Sequence, residues 1–320
     1  MVFIRQIDFH SAEYSALAAR HGSVFNQPAW LKIYRSVIVN GIFNQNNELI
    51  GAFNVYKASK FGFSYYLVPP YSPTNGLFFV NPAQSTPNRN TFEKEIHEAI
   101  ANWFSGLKAF LKITAFPPAV KDPQPYYWNH FKVIPHVTYI LSLKGSVDNL
   151  FENLTSEKRK SIRKAEKDGL LVRRTGNMRE VTDLVLKTFA RSRQKAHSAY
   201  LHSILFEFAG PANSFAYVAE QNGVLIGCTF CVHDATTAYY LFGGYDELNA
   251  HHGAGVSCMW RSILHAKEVG LQDFDFEGSM VEGVEKYFRE FGGDLVPYYT
   301  VQKGWLPAEM LFKLKMRNRF

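Results

Sequence analysis

The apolar and polar positions of this chain switch between a helical period and a period of two, and the order of those switches occurs twice. In the second half the pattern predicts helices over 156–168 and 178–194, strands over 214–220, 224–233 and 237–243, a helix over 255–269 and a strand over 272–277. Asn222-Gly223 separates the first two strands, and those two residues accept the positive φ angles of a tight hairpin turn. The first half has weaker punctuation: helix-like stretches at Ser11–His21 and Ala29–Val37, a hairpin over 41–56, a Pro-rich loop from Val68 to Gly76, a helix from Thr91 to Leu107 and a strand from Ala109 to Phe116. Each half has a strand, an Asn-containing turn and then Leu-Ile-Gly opening a second strand, at Leu49-Ile50-Gly51 and Leu225-Ile226-Gly227.

A hairpin followed by strand, helix and strand predicts an α/β (α+β) architecture, with a mixed, mostly antiparallel sheet flanked by helices. The duplication predicts two tandem lobes, 1–143 and 144–320, leaving a groove between them of the kind that takes ligands. At 320 residues the chain exceeds the usual size of one core, and 47% hydrophobic residues exclude a disordered chain.

A formal charge of +7 favours anionic partners such as phosphates, nucleic acid or an acidic membrane surface, although modest positive charge also serves solubility alone. Three cysteines are too few for a disulfide framework and point to a reducing compartment. Cys228-x-x-Cys231 with His233 falls on a predicted strand, where residues three apart point to opposite faces, so no metal site is expected. The N-terminus lacks the apolar core of a signal peptide, and no apolar run reaches the ~20 residues that span a bilayer. The expectation is a soluble cytoplasmic protein. Its apolar and basic tail, Met310–Phe320, either packs as a terminal helix or touches the anionic inner membrane surface.

Three constellations carry chemistry. In the helix over 156–168, Thr155 suits the N-cap, and Lys160, Arg163, Lys164 and Lys167 form one basic stripe that either holds phosphates or is simply solvated. In the loop after the third strand, Gly253 and Gly255 allow close approach to a helix N-terminus whose free N–H groups favour anions, as in the pyrophosphate seat of acyl-CoA-binding transferases. They also serve in ordinary turns. In Gln272-Asp-Phe-Asp-Phe-Glu-Gly-Ser279, strand alternation sends Phe274 and Phe276 to the core, and Asp273, Asp275 and Glu277 to the other face. Glu277, at the strand end, can orient or deprotonate an amine, unless these acids only line a solvated edge. No GxSxG elbow, HExxH helix, Walker loop or EF-hand occurs.

Tyr240-Leu-Phe-Gly-Gly244, Trp260-x-x-Ile263-x-x-Ala266, Phe274-Asp-Phe-Glu-Gly278, Gly283-Val284 and Phe291-Gly292 follow in an order that resembles the FemAB-like branch of the GNAT superfamily. Asn153-Leu154 with Arg159, Ile162-Arg163-Lys164-Ala165 and Phe25-Asn-Gln-Pro-Ala-Trp30 resemble further segments of that family. The resemblance implies two tandem GNAT-like lobes and amide-forming transfer of an acyl or aminoacyl group, with acyl-CoA or aminoacyl-tRNA as co-substrate and no tightly bound cofactor. It implies an acceptor among envelope, peptidoglycan or polysaccharide precursors, small or lipid-linked, and tRNA as a potential partner. On that chemistry Glu277 serves the amine, Arg159 and Arg163 an acidic or phosphorylated ligand, and Tyr240, Tyr245 and Tyr287 the cleft wall. The chain departs from the family's ligases in having Tyr287-Phe288 in place of a Phe-Lys pair, in lacking a long coiled-coil arm, and in Ala250, where GNAT enzymes prefer Arg or Gln. A duplicated fold that binds an anionic precursor or RNA without chemistry is the competing class.

Overall fold

The computed structural model describes residues 2–193, 195–305, 307, 309, 310 and 314. Its strands, in chain order, are β1 (Phe3–Ile7), β2 (Val37–Phe43), β3 (Leu49–Lys60), β4 (Phe63–Leu67), β5 (Phe78–Phe79), β6 (Leu111–Ala115), β7 (Lys132–Ser142), β8 (Leu171–Thr175), β9 (Ser214–Gln221), β10 (Val224–His233), β11 (Thr237–Tyr245), β12 (Asp273–Asp275) and β13 (Asp294–Gly304). Its helices are α1 (Ala12–His21), α2 (Pro28–Leu31), α3 (Thr86–Gly106), α4 (Gln124–Trp128), α5 (Val147–Asn153), α6 (Ser156–Lys167), α7 (Met178–Arg191), α8 (Ser198–His202), α9 (Ala254–Glu268) and α10 (Glu282–Arg289).

Two compact units result, one of residues up to His136 and from Pro297 onward, the other of Val137–Val296. The expected division at 143/144 left the C-terminal segment with the second lobe. β13 instead pairs with β6, Thr300 opposite Ala115 through Gly304 opposite Leu111, which returns it to the first unit.

In the first unit the strands run β1-β2-β3-β4-β6-β13, with β5 on β3. Every junction is antiparallel except β4–β6. The predicted hairpin over 41–56 forms from β2 and β3. The helix expected over Ala29–Val37 ends at Leu31, and the β-branched run Val37-Ile38-Val39 joins the sheet, where branched side chains pack well. Phe53, Phe104, Phe116 and Tyr126 fill the core between that sheet and α3.

The second unit orders its strands β7-β12-β11-β10-β9-β8 and has its one parallel junction at β11–β12. β9 and β10 pair from Gln221 opposite Val224, which closes the predicted Asn222-Gly223 hairpin. β10 is buried on both faces from Ile226 to Val232, so it reads as an apolar run rather than an alternation. The small residues Ala254, Ser257, Cys258, Ser262 and Ala266 let α9 lie close over this sheet, and a Cβ at Gly227 would be only 3.2 Å from the Ala254 Cβ. Thr155 caps α6 as expected, accepting a bond from the Lys158 N–H at 3.4 Å. Among the described residues no helix is long and apolar enough to cross a membrane. Of the tail Met310–Phe320 only Met310 and Leu314 are described, both exposed; the expectation for the rest falls outside the described residues.

Candidate active site in the second unit

β11 and β12 pair only from Thr237 opposite Asp273 to Tyr239 opposite Asp275. β12 stops there, while β11 continues to Tyr245 beside β10 alone. Against β10 the register slips: Phe230 faces Phe242 but Cys231 faces Tyr240, leaving Leu241 as an extra residue. A bulge of this kind bends a strand and re-aims its side chains. The strand thus splays from its parallel neighbour, and a cavity of about 690 Å³ opens in the gap. Its walls come from β11, from α7 at Val185 and Thr188, from the start of α9 at Gly255 and Val256, and from the segment Phe276–Phe288.

Glu277 lines this cavity, but strand alternation does not place it. β12 was expected to reach 277 and ends at Asp275, because Glu277 and Gly278 both take φ of 60°, outside the strand region. The Asp275 Oδ1 accepts the Glu277 N–H at 2.8 Å and the Thr138 hydroxyl at 2.5 Å, so a buried carboxylate fixes the turn. Gly278 has no substitute there: a Cβ would overlap the Val137 carbonyl oxygen. Glu277 Oε1 is buried and has no hydrogen-bond partner. Burial, and then the neighbouring Asp275 carboxylate, raise the Glu277 pKa well above the usual carboxylate range, and burial raises that of Asp275 to about 6.

The three predicted tyrosines, Tyr240, Tyr245 and Tyr287, all reach the cavity wall. Burial holds each phenol above its ordinary pKa, so all three are neutral donors near neutral pH. Tyr240 folds back over Gly243, where a Cβ would overlap its hydroxyl, and its ring packs edge-on against Phe288 at 5.6 Å. The Tyr287 hydroxyl points to the start of α9, 3.5 Å from where a Cβ at Gly255 would stand. Behind that ring sits Lys158, its ammonium 3.8 Å from the ring centre and 3.2 Å from Glu290 Oε2. Among the described residues neither the Tyr240 nor the Tyr287 hydroxyl has a hydrogen-bond partner.

The two glycines part company. Gly255 borders the cavity at the start of α9, which has no side-chain cap, so its first N–H groups remain able to take an anion. Gly253 is instead a packing residue, since a Cβ there would press on Ala165 Cβ at 2.7 Å and the Ser161 carbonyl oxygen at 2.9 Å. Its N–H donates to His251 Nδ1 at 3.1 Å, and His251 Nε2 faces Asp168 at 3.1 Å. Of the histidine pair it is His252, exposed, that lines the cavity.

The basic stripe does not line it. Arg159 donates to the Glu152 carbonyl at 2.6 Å and to that of Leu154, closing the end of α5. Arg163 lies exposed over the Phe151 ring at 5.4 Å, Lys164 pairs with Asp168 at 2.6 Å, and Lys160 is solvated. The cation of α6 nearest the cavity is Lys158, behind the Tyr287 ring on the buried face with Ile162 and Ala165, and it does not line the cavity itself. Sequence reasoning also missed Asp275 as a positioning group, Thr188, whose Oγ1 accepts the Tyr245 N–H at 3.0 Å, and Arg191, which lines the wall beside the Tyr245 ring. The spacing of α7 marks its buried face, and nothing in that spacing separates a core residue from a cavity wall.

A strand splayed beside an uncapped helix N-terminus, with a buried carboxylate just past the end of the parallel neighbour, is the geometry of this candidate site. Residues 153–289 match the family model described as an acetyltransferase (GNAT) domain. No curated protein matches the chain by sequence. Among solved structures, that of FemX is similar with a TM-score of 0.66 at 11% identity, over 97% of this chain and 99% of that one. The C-terminal domain of a putative lysylphosphatidylglycerol synthetase from Agrobacterium fabrum follows at 0.57 and 10% identity, over 94% and 93%. A tandem GNAT protein from the clavulanic acid biosynthesis pathway gives 0.53 at 10% identity, over 95% and 98%. At such identities the likeness is one of fold. Residues 153–289 thus carry a GNAT acetyltransferase domain, and the chain as a whole shares its fold with FemX and with a tandem GNAT protein.

Proposed function

We propose that the second unit forms an amide by moving an acyl or aminoacyl group onto an amine, with Glu277 holding that amine and taking its proton. The observation that carries this reading is the unpartnered, buried Oε1 of Glu277 on the wall of the 690 Å³ cavity. A carboxylate left without a partner in a low-dielectric site is costly unless a ligand supplies one, and an ammonium does. The ionised carboxylate accepts a proton from the bound ammonium or from the attacking amine. The amine nitrogen bonds to the acyl carbonyl carbon, the carbonyl oxygen becomes an oxyanion, and the bond to the leaving group breaks as the carbonyl reforms. The Tyr240 and Tyr287 hydroxyls are the neutral donors available to the oxyanion or to the departing group. No covalent enzyme intermediate is needed, and Cys228, whose thiol burial pushes up to about 12, is no nucleophile.

For the donor, the start of α9 with Gly255 suits a pyrophosphate or phosphate, which fits acyl-CoA, the usual co-substrate of the family, and equally the end of an aminoacyl-tRNA. For the acceptor, we infer an amine on a small or lipid-linked envelope precursor, used in the cytoplasm or at the inner membrane surface. The support is the fold shared with FemX and a putative lysylphosphatidylglycerol synthetase domain. Mass spectrometry of reactions offering acyl-CoA and charged tRNA separately, each with envelope precursors, tests all of this. A single mass increment on the precursor identifies donor and class together. Precursor or RNA binding with no increment from either donor overturns the reading in favour of a non-catalytic binding module.

A further inference from the structure

The hairpin between β3 and β4 carries an aromatic and basic tip that the chemistry of the second unit does not use. Lys60 pairs with Phe63 across it, and only Phe61 and Gly62 intervene, with φ of 52° and 78°. Two positive φ angles in a two-residue loop make a type I′ turn. The β9–β10 hairpin makes the same turn with Asn222 and Gly223, at 53° and 79°, the residues that accept it at least cost. Phe61 puts a bulky ring in the left-handed position, and that ring is 84% exposed, so packing does not offset the strain.

Other apolar surface adjoins it. The Phe63 ring, half exposed, packs on Phe110 at 5.0 Å. The Phe110 N–H donates to the Ser64 carbonyl at 2.8 Å and its carbonyl accepts the Trp305 N–H at 3.0 Å, which brings the exposed Trp305 alongside. Lys57, Lys60 and Lys108 are exposed and make no ion pair among the described residues. The chain has no Asp or Glu from Leu49 to Phe92, nor from Ala99 to Lys121, so no acid on the hairpin offsets these charges.

We propose that this tip docks the protein on an anionic phospholipid surface, with Phe61, Phe63 and Trp305 in the interfacial layer and Lys57, Lys60 and Lys108 against the headgroup phosphates. Phenyl rings gain by leaving water, and lysines near an anionic bilayer are attracted to it. Nucleic acid fits the patch less well. A single-strand platform needs rings flanking a basic groove, whereas here the outermost residue of a convex tip is a phenylalanine with no hydrogen-bonding group.

Sedimentation of the full chain with vesicles of phosphatidylcholine alone, or mixed equally with phosphatidylglycerol, tests this. Binding is expected to the mixed vesicles only and to fall with salt. Phe61→Asn creates the favoured Asn-Gly turn, so it keeps or raises thermal stability while weakening vesicle binding about tenfold. The triple change Lys57→Gln, Lys60→Gln and Lys108→Gln weakens it about a hundredfold. Equal binding to both vesicle types, or an unchanged Phe61→Asn variant, overturns the proposal. So does binding to bulk tRNA that Phe61→Asn weakens while vesicle binding is absent, which assigns the patch to nucleic acid.

Discussion

The two units repeat one pattern of strand junctions, three antiparallel, one parallel and one antiparallel, and they differ most at the parallel one. In the second unit β11 splays from β12 and the gap is a cavity. In the first, β4 and β6 pair at Tyr65–Leu111 and Tyr66–Lys112, and the Pro-rich loop after β4 folds back into the space that would open beyond. Asn75 stitches it shut. Its N–H donates to the Ala115 carbonyl at 2.8 Å and its Oδ1 accepts the Ala115 N–H at 2.8 Å. Its Nδ2 donates to the carbonyls of Asn54 at 2.8 Å and Leu67 at 3.2 Å, and its own carbonyl accepts the Asn54 N–H at 2.9 Å. The fully buried amide satisfies three strand edges at once, so this gap is structural. Glu277 is the opposite case, a buried polar group left unsatisfied. The same junction is left open as a cavity in one unit and filled by a buried amide in the other.

The comparison breaks first at Glu277. Glu277→Gln keeps size and hydrogen bonding but removes the charge, and turnover is expected to fall about a hundredfold or more. Stability should move the other way. A carboxyl whose pKa is raised in the folded state is still protonated there over a range where the unfolded chain has ionised, so wild-type stability falls as pH rises through that range. The variant does not titrate, and its melting temperature relative to wild type should therefore rise with pH and converge near pH 4, about the ordinary carboxylate value. Wild-type activity should fall as pH drops through the raised pKa, because the base must be ionised. Equal turnover of the two proteins would reduce Glu277 to a structural residue.

Asn75 gives the mirror image. Asn75→Ala orphans the Ala115 N–H and two carbonyls in the core, which costs ~2–4 kcal/mol of unfolding free energy by denaturant titration. Per-molecule turnover of the protein that remains folded should be unchanged, since the residue touches no part of the second unit's cavity. Tyr287→Phe comes next, with about a tenfold loss in kcat and little change in KM if its hydroxyl donates only in the transition state.

Much of this contrast was legible in the sequence, and what was not has physical reasons. Hairpin positions followed from Asn-containing turns and alternation, whereas the cleft tyrosines were named only through the family resemblance and Glu277 through its place at the end of a predicted strand. The bulge at Leu241 was not legible, because the register of β10 against β11 depends on packing across both faces. Glu277 was placed in the cavity by alternation that stops two residues short of it; the real cause is an αL turn pinned by Asp275. The return of β13 to the first unit needs a partner strand about 190 positions away, which local periodicity does not encode. The plug at Asn75 sits in a loop whose prolines announce a turn but not what its one buried amide touches.

The smallest expected effect concerns the cations of α6, whose stripe the sequence left either as a phosphate-binding surface or as a solvated face. Arg163 belongs to the stripe that looked like a phosphate-binding surface, yet it lies exposed over Phe151, outside the cavity. Lys158, five positions earlier on the opposite face, is the cation beside Tyr287. Reversing the exposed charge by Arg163→Glu should therefore change donor affinity less than about twofold even at low salt, where a direct phosphate contact would be least screened. Stability should shift by no more than ~0.5 kcal/mol, the usual range for an exposed site. Lys158→Met, which keeps the aliphatic stem and removes the ammonium, leaves Glu290 without its partner and the Tyr287 ring without its cation. It should lower kcat while Arg163→Glu does not. Equal effects of the two changes on donor affinity would restore the stripe as the binding face and undo the separation between the two sides of this helix.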